Sequence, residues 1–425
     1  MMGKSNVCRW LRRLFWLSAL GITGYAWYSM DRAVPDRVSI LENETEVFDF
    51  GLPLSATLFS ESQEVALGGG SNIPADQITI SSSESFFMSA GEQGRYQVGL
   101  KLFGLIKLKD IQVDVVDTRH AIPCGSPIGI YLKSDGIMVI GTGRITGEDG
   151  MERDPAYGKL KSGDYIEAFN GQPLDTKEEL MEAVNDSQGQ EAVVTVRREG
   201  EAIDVSLQPV KSAEGDYKLG AWVRDDTQGI GTITYVDMNG RFGALGHGIS
   251  DSDTGELVET GEGSLYTTKI MGIEKGSTGS PGLLSGVIYY GPQSRMGEIE
   301  KNTNEGIFGT VNEKFMKELD GDPVEIARRQ DVRQGEAYIR SSVSGETRDY
   351  AIEIQRVDLN AGHKNKSMVI KVTDPELLSL TGGIVQGMSG SPILQDGRLV
   401  GAVTHVFVQD AARGYGILAE DMAAD

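Results

Sequence analysis

Cysteine is almost absent from this chain, with Cys8 and Cys124 the two examples among 425 residues. Two thiols set up no disulfide framework, and neither has the Cys/His spacing of a metal site. No His or Asn pattern accompanies Cys124, which makes it a remote candidate for a nucleophile. Histidine is scarce too, at four residues, so any imidazole chemistry has few places to reside. Basic residues are outnumbered 40 to 62, giving a formal net charge of −22. Phosphate binding needs a basic face, so nucleic acid is excluded as an expected partner. No cofactor or metal is expected.

Glycine, by contrast, is plentiful. Its 55 residues are about twice the usage of roughly 7% in ordinary proteins. Together with many Val/Ile alternations, this favours short strands and tight turns, hence a mainly β protein. The length suits about three domains.

Residues 1–30 read as a membrane-targeting segment. Lys4, Arg9, Arg12 and Arg13 precede an apolar run from Leu14 to Met30, at the lower limit for a spanning helix. Gly24 and Ala26 leave removal as a signal peptide open, whereas Trp27 and Tyr28 favour an anchor. A transmembrane helix is the expectation, with the remainder outside the cytoplasm. Residues 31–120 read as a small β module, with strand character at 38–41, 77–80, 96–100 and 111–115 and a flexible turn at Gly68-Gly69-Gly70.

The pattern changes over 121–212. Ser126-Pro127-Ile128-Gly129-Ile130 is a glycine-containing loop entering a strand. Leu160…Gly163-Asp164…Ile166 and Asn170-Gly171 follow, and then a helix that Asp175 or Thr176 caps, with Glu178 or Glu179 closing a capping box. Val194, Val196, Val205 and Leu207 complete the unit. This order resembles a PDZ domain, which implies capture of a peptide as an added strand. Ile128, Gly129 and Ile130 are the expected peptide-binding loop.

Over 213–425 the segment Gly387-Met388-Ser389-Gly390-Ser391-Pro392 carries the chemistry. A serine between glycines on a tight bend exposes its hydroxyl, while the N–H groups of Gly387 and Ser389 can converge on an oxyanion. A hairpin around Asp396-Gly397, the strand ending in Thr404-His405, and Gly414–Leu418 follow. This succession resembles the second barrel of chymotrypsin-like serine peptidases, which implies that Thr404 and His405 flank the substrate. Gly276–Pro281 echoes the 387–392 turn, with Thr278 at the nucleophile position and Ser280 out of register. Such tandem units suit a double β-barrel.

A serine hydroxyl needs a base, and the base needs an orienting acid. His120 stands at a domain junction and His363 in a basic loop. His247, flanked by Gly246 and Gly248 in the first β unit, is the expected base; His405 is the alternative. The acid stays open by spacing alone among Asp237, Asp251, Asp253, Asp358 and Asp374.

Taken together, an anchor, a β module, a PDZ unit and this C-terminal half resemble the stage IV sporulation protein B peptidase family over nearly the whole chain. The resemblance implies a triad in the order His247, Asp374, Ser389. It further implies a self-processing signalling protease of spore-forming cells that acts between the forespore and mother-cell membranes. Its implied partners are its own N-terminal region, the membrane, and an inhibitory subunit of an intramembrane metalloprotease, whose cleavage activates a late sigma factor. The competing expectation is a non-catalytic, membrane-tethered PDZ scaffold. The domain expectation is 1–30 anchor or signal, 31–120 β module, 121–212 PDZ domain and 213–425 peptidase.

Overall fold

Ile128, Ile130 and Leu132 alternate along one face of an extended segment, and all three are almost fully buried. Burying each such side chain contributes about 1.5–3 kcal/mol, which is enough to pin a strand and its register. In the computed structural model of the protein this segment is a sixteen-residue strand, Pro127–Thr142. The structure describes residues 4–42, 44–59, 65–67, 79–81, 86–90 and 94–423. The chain forms two compact units: Met1–Arg119 with Arg328–Arg333 and Val357–Gly362, and all the rest.

In the first unit a thirty-residue helix α1 (Lys4–Ala33) precedes a five-stranded sheet. Its strands are β1 (Arg37–Leu41), β2 (Leu54–Phe59), β3 (Thr79–Ser81), β4 (Gly94–Leu102) and β5 (Ile106–Val116), in the order β1-β5-β4-β2-β3. Val38, Ile40, Val98, Leu100, Ile111 and Val113 form its core. Of the expected strand at 77–80, Thr79 and Ile80 fall in β3; residues 77, 78 and the glycine run 68–70 lie outside the described residues. The expected transmembrane helix is corrected. No helix among the described residues is long and apolar enough to cross a membrane. The length of α1 suffices at about 1.5 Å per residue, but Ser18, Gly21, Thr23, Gly24 and Ser29 interrupt its apolar run.

The second unit contains two closed strand cycles and a smaller α/β portion. Its strands are β6 (His120–Pro123), β7 (Pro127–Thr142), β8 (Tyr165–Phe169), β9 (Ala192–Arg198), β10 (Glu201–Leu207), β11 (Ala221–Asp237), β12 (Arg241–Ala244), β13 (Thr260–Glu274), β14 (Leu283–Ile288), β15 (Arg295–Thr303) and β16 (Gly306–Val311). The pairings run β7-β13-β15-β16-β12-β11 and return from β11 to β7, closing a six-membered cycle. The second cycle is a closed barrel of β17 (Gly335–Ser341), β18 (Arg348–Val357), β19 (Met368–Val372), β20 (Pro392–Gln395), β21 (Arg398–Phe407) and β22 (Asp410–Leu418). The protein is thus mainly β with paired barrels.

The first half of β7 corrects one expectation. Ile128, Gly129 and Ile130 pair with β11 on one side and β13 on the other, so both backbone edges are occupied and no peptide can add there. Gly129 is a packing glycine: a Cβ on it would lie 2.4 Å from Ile288 Cγ2 and 2.6 Å from Thr268 Oγ1.

The PDZ-like portion is built on a separate core of Ile137, Val139, Leu160, Ile166, Leu180, Val184, Val194 and Val196, joined by Leu219 and, partly buried, Val223. Its helix α2 (Lys177–Asp186) is capped by Thr176, with Glu179 completing the capping box. The long strands β7 and β11 pass from the barrel core into this one, tying the two together.

Candidate active site

Two glycines shape the turn that presents Ser389. Gly387 and Gly390 have φ of +98° and +95°, conformations that side chains resist. A Cβ on Gly390 would lie 2.1 Å from the Thr232 carbonyl oxygen and 2.5 Å from Leu245 N, so glycine alone fits. The Met388 N–H donates to Val385 O at 3.1 Å and the Ser391 N–H to Met388 O at 2.9 Å. The Met388 side chain is fully buried and anchors the bend. The N–H groups of Gly387 and Ser389 make no such backbone bond among the described residues, which leaves them available to an oxyanion.

His247 arrives from the other cycle. Leu245 and Gly246 both have φ of 70°, which turns the chain sharply after β12. Gly246 lies against the second barrel, where a Cβ would meet Ile417 Cγ2 and Thr404 Cγ2 at 2.9 Å. The ring Nδ1 of His247 is 2.8 Å from the Gly248 carbonyl oxygen. A carbonyl only accepts, so Nδ1 carries the hydrogen and Nε2 holds the lone pair. That is the tautomer a general base needs. Burial pushes the imidazole below its ordinary pKa, with the Gly248 carbonyl partly opposing the shift.

Ser389, Gly387, His247, Thr404 and His405 line one cleft of about 480 Å³. The Ser389 hydroxyl donates to the Thr404 carbonyl at 2.7 Å. This carbonyl is free because β21 carries a bulge: Val403 pairs with Gly416 and Val406 with Gly414, leaving Thr404 and His405 unmatched. The bulge also turns His405 toward the cleft, where its ring centroid lies 5.0 Å from that of His247. His405 keeps part of its surface in solvent, yet partial desolvation of the ring in the cleft, then the neighbouring His247 and Lys366, push its imidazole down to about 4.

Asp374 does not join them. It caps α3 (Pro375–Thr381), accepting from the N–H groups of Glu376 and Leu377 at 2.9 and 3.0 Å, and its other oxygen accepts from Ala351 N. The expected third member of the triad is therefore occupied as a helix cap, and it does not line the cleft. The other acids are engaged as well. Asp251 and Asp253 bind Arg224, Asp237 caps the turn at Asn239–Arg241, and Asp358 pairs with Arg32. The hydrogen-bond acceptor that orients His247 is a backbone carbonyl. Cys124 is buried, and desolvation pushes its thiol up to about 12, which removes it as a nucleophile. No group of three or more His, Cys, Asp or Glu side chains among the described residues is placed to hold a metal.

Thr232 escaped the sequence reading. Its N–H donates to Ser389 O, its Oγ1 to Gly387 O, and its carbonyl accepts from Leu245 N. Nothing but strand alternation marks it in sequence. Asn365 is similar, its carbonyl accepting the Thr404 hydroxyl at 2.7 Å.

A second cavity, about 590 Å³, lies between α2 and the Ala221–Val223 stretch of β11, with Leu180, Met181, Val184 and Trp222 in its walls. Met181 and Trp222 are well exposed there. In this stretch β11 pairs with β7 on one side only.

Comparison with known proteins gives a family match over residues 215–423, to the SpoIVB peptidase S55 model. Among solved structures, the chain is similar to the PDZ domain of an SdrC-like protein from Listeria monocytogenes. Identity there is 16%, over 21% of this chain and 87% of that one, with a TM-score of 0.17. It is also similar to the active form of a protease from M. tuberculosis, at 15% identity over 47% of this chain and 72% of that one, with a TM-score of 0.25. The curated proteins give no match.

Proposed function

Residues 215–423 belong to the SpoIVB peptidase S55 family, and on that premise we propose that the chain is a serine endopeptidase worked by Ser389 and His247. The supporting observation is that Ser389, two uncommitted N–H donors and a correctly tautomeric imidazole line one cleft. In the resting arrangement the hydroxyl is turned to Thr404. Rotation about the Cα–Cβ bond of Ser389 swings it toward His247 Nε2, which takes its proton as Oγ attacks the substrate carbonyl. The N–H groups of Gly387 and Ser389 hold the resulting oxyanion, and His247 returns the proton to the leaving amine. The Gly248 carbonyl, rather than Asp374, orients the ring.

The groove beside α2 suits an extended segment added to the free edge of β11, the usual way such units hold peptides. In the wider setting that the family suggests, the enzyme acts outside the cytoplasm and near a membrane in sporulation signalling. It cleaves its own N-terminal region and an inhibitory subunit of an intramembrane metalloprotease, which leads to activation of a late sigma factor.

The test is hydrolysis of an unfolded protein by the purified chain beside Ser389→Ala. Fragments from the wild type and none from the variant support the reading. Equal inactivity of the two, with both folded, favours the scaffold instead.

A further inference from the structure

Some 24% of the chain is Asp, Glu, Lys or Arg, yet among the described residues no such side chain lines the cleft that holds Ser389. Beside the serine its wall combines aliphatic side chains with the neutral polar Gln386, Thr404 and His405. Ile384 and Val385, just before the turn, are 2% and 1% exposed. Val406 and Val408 follow on β21 and its continuation, Val406 half-buried and Val408 exposed.

A Cβ placed on Gly414 of β22 would sit 2.7 Å from Ile384 Cδ1, so Ile384 packs against the face of that glycine.

The backbone fixes where a peptide would lie. Strand β20 pairs with β21 from Arg398 to Ala402, and beyond that point the edge of β21 borders the cleft. A segment added along this edge passes the Thr404 carbonyl and brings one residue against Val406 with its own carbonyl near Ser389.

Resting on the peptidase reading above, we propose that the enzyme selects substrates with an uncharged aliphatic side chain at the residue whose carbonyl Ser389 attacks, and that Val406 sets this preference. A charged side chain there would lose water with no oppositely charged partner in the wall, a penalty large enough to slow the reaction by about a hundredfold or more.

Peptidyl diphenyl phosphonates that differ in the residue at this position, Val, Lys or Glu, provide the test. The rate of adduct formation on Ser389 is read by intact mass, beside a simple fluorophosphonate. The Val reagent is expected to react about a hundredfold faster than the Lys and Glu reagents. In Val406→Asp, confirmed folded by an unchanged circular-dichroism spectrum and a cooperative thermal transition, the Lys reagent is expected to gain at least about tenfold relative to the Val reagent. Equal rates across the series, or a charged reagent reacting fastest in the wild type, would overturn the proposal. So would labelling by the fluorophosphonate with no reaction of any peptidyl reagent. Failure of both reagent classes would instead sink the peptidase reading, and this inference with it.

Discussion

The backbone N–H of Thr232 donates to the carbonyl oxygen of Ser389 at 3.1 Å, and the Thr232 carbonyl accepts from Leu245 N at 3.2 Å. One residue of β11 thus holds both the nucleophile turn and the segment that ends in His247. Its hydroxyl adds a third bond, to Gly387 O at 2.8 Å. The two halves of the site are registered against each other through this single strand position.

Thr232→Val tests that support. It preserves shape but removes the hydroxyl donor, leaving the Gly387 carbonyl one partner short at a cost of about 1–3 kcal/mol. Denaturant unfolding should show that loss. The rate of Ser389 modification should fall while affinity for peptide changes little, and Thr232→Ser should restore both stability and rate. A variant with unchanged stability and rate would remove Thr232 from the account.

The two cleft histidines give a pH signature. Burial lowers the pKa of both, His405 to about 4, from an ordinary value of about 6.5. Folding therefore favours their neutral forms. Their contribution to stability is complete above about pH 6.5 and is lost as pH falls below that, for His405 toward about 4, because the unfolded chain takes up protons first. The acidic limb of kcat/KM should lie below the ordinary imidazole range, since His247 stays neutral there. A limb above pH 7, or stability that rises between pH 6.5 and 4.5, would contradict this placement of the two rings.

Asp374 separates the structural reading from the triad that the family resemblance implies. Asn caps helices about as well as Asp, so Asp374→Asn should keep α3 and retain hydrolysis of a small ester within about threefold. Asp374→Ala should cost about 1 kcal/mol of stability. A fall of several orders of magnitude in Asp374→Asn, with the protein folded, would show that the carboxylate leaves its cap to reach His247.

The groove beside α2 predicts a division of labour. Met181→Glu places a charge among Leu180, Val184 and Trp222 and should alter cleavage of protein substrates while leaving ester hydrolysis intact. Equal loss of both activities would make the groove part of the fold rather than a binding surface.

Local chemistry explains what the sequence made visible. The Gly387–Pro392 turn and the glycine-flanked His247 announce themselves because the backbone demands glycine within a few residues of the reactive group. The capping box at Thr176 and Glu179 was equally local. What stayed hidden depends on distant partners. Nothing near Ile128–Ile130 reveals that β11 and β13 take both of its edges, so in sequence this buried strand looks the same as a binding loop. Asp374 stands at a strand end in either reading, and its helix cap depends on the fate of α3. Thr232 and the bulge at Thr404–His405 carry no motif at all. Length alone makes the apolar run after Leu14 look membrane-spanning, whereas its interspersed Ser, Thr and Gly residues lower its apolarity.

Everything rests on Ser389 being made nucleophilic by His247. The direct measurement is the time course of fluorophosphonate modification by intact mass, with peptide mapping, for wild type and for His247→Ala. The account predicts a single adduct on Ser389 in the wild type and a rate lower by about 10³-fold or more without the imidazole. An adduct on another residue, or an unchanged rate in folded His247→Ala, would contradict it.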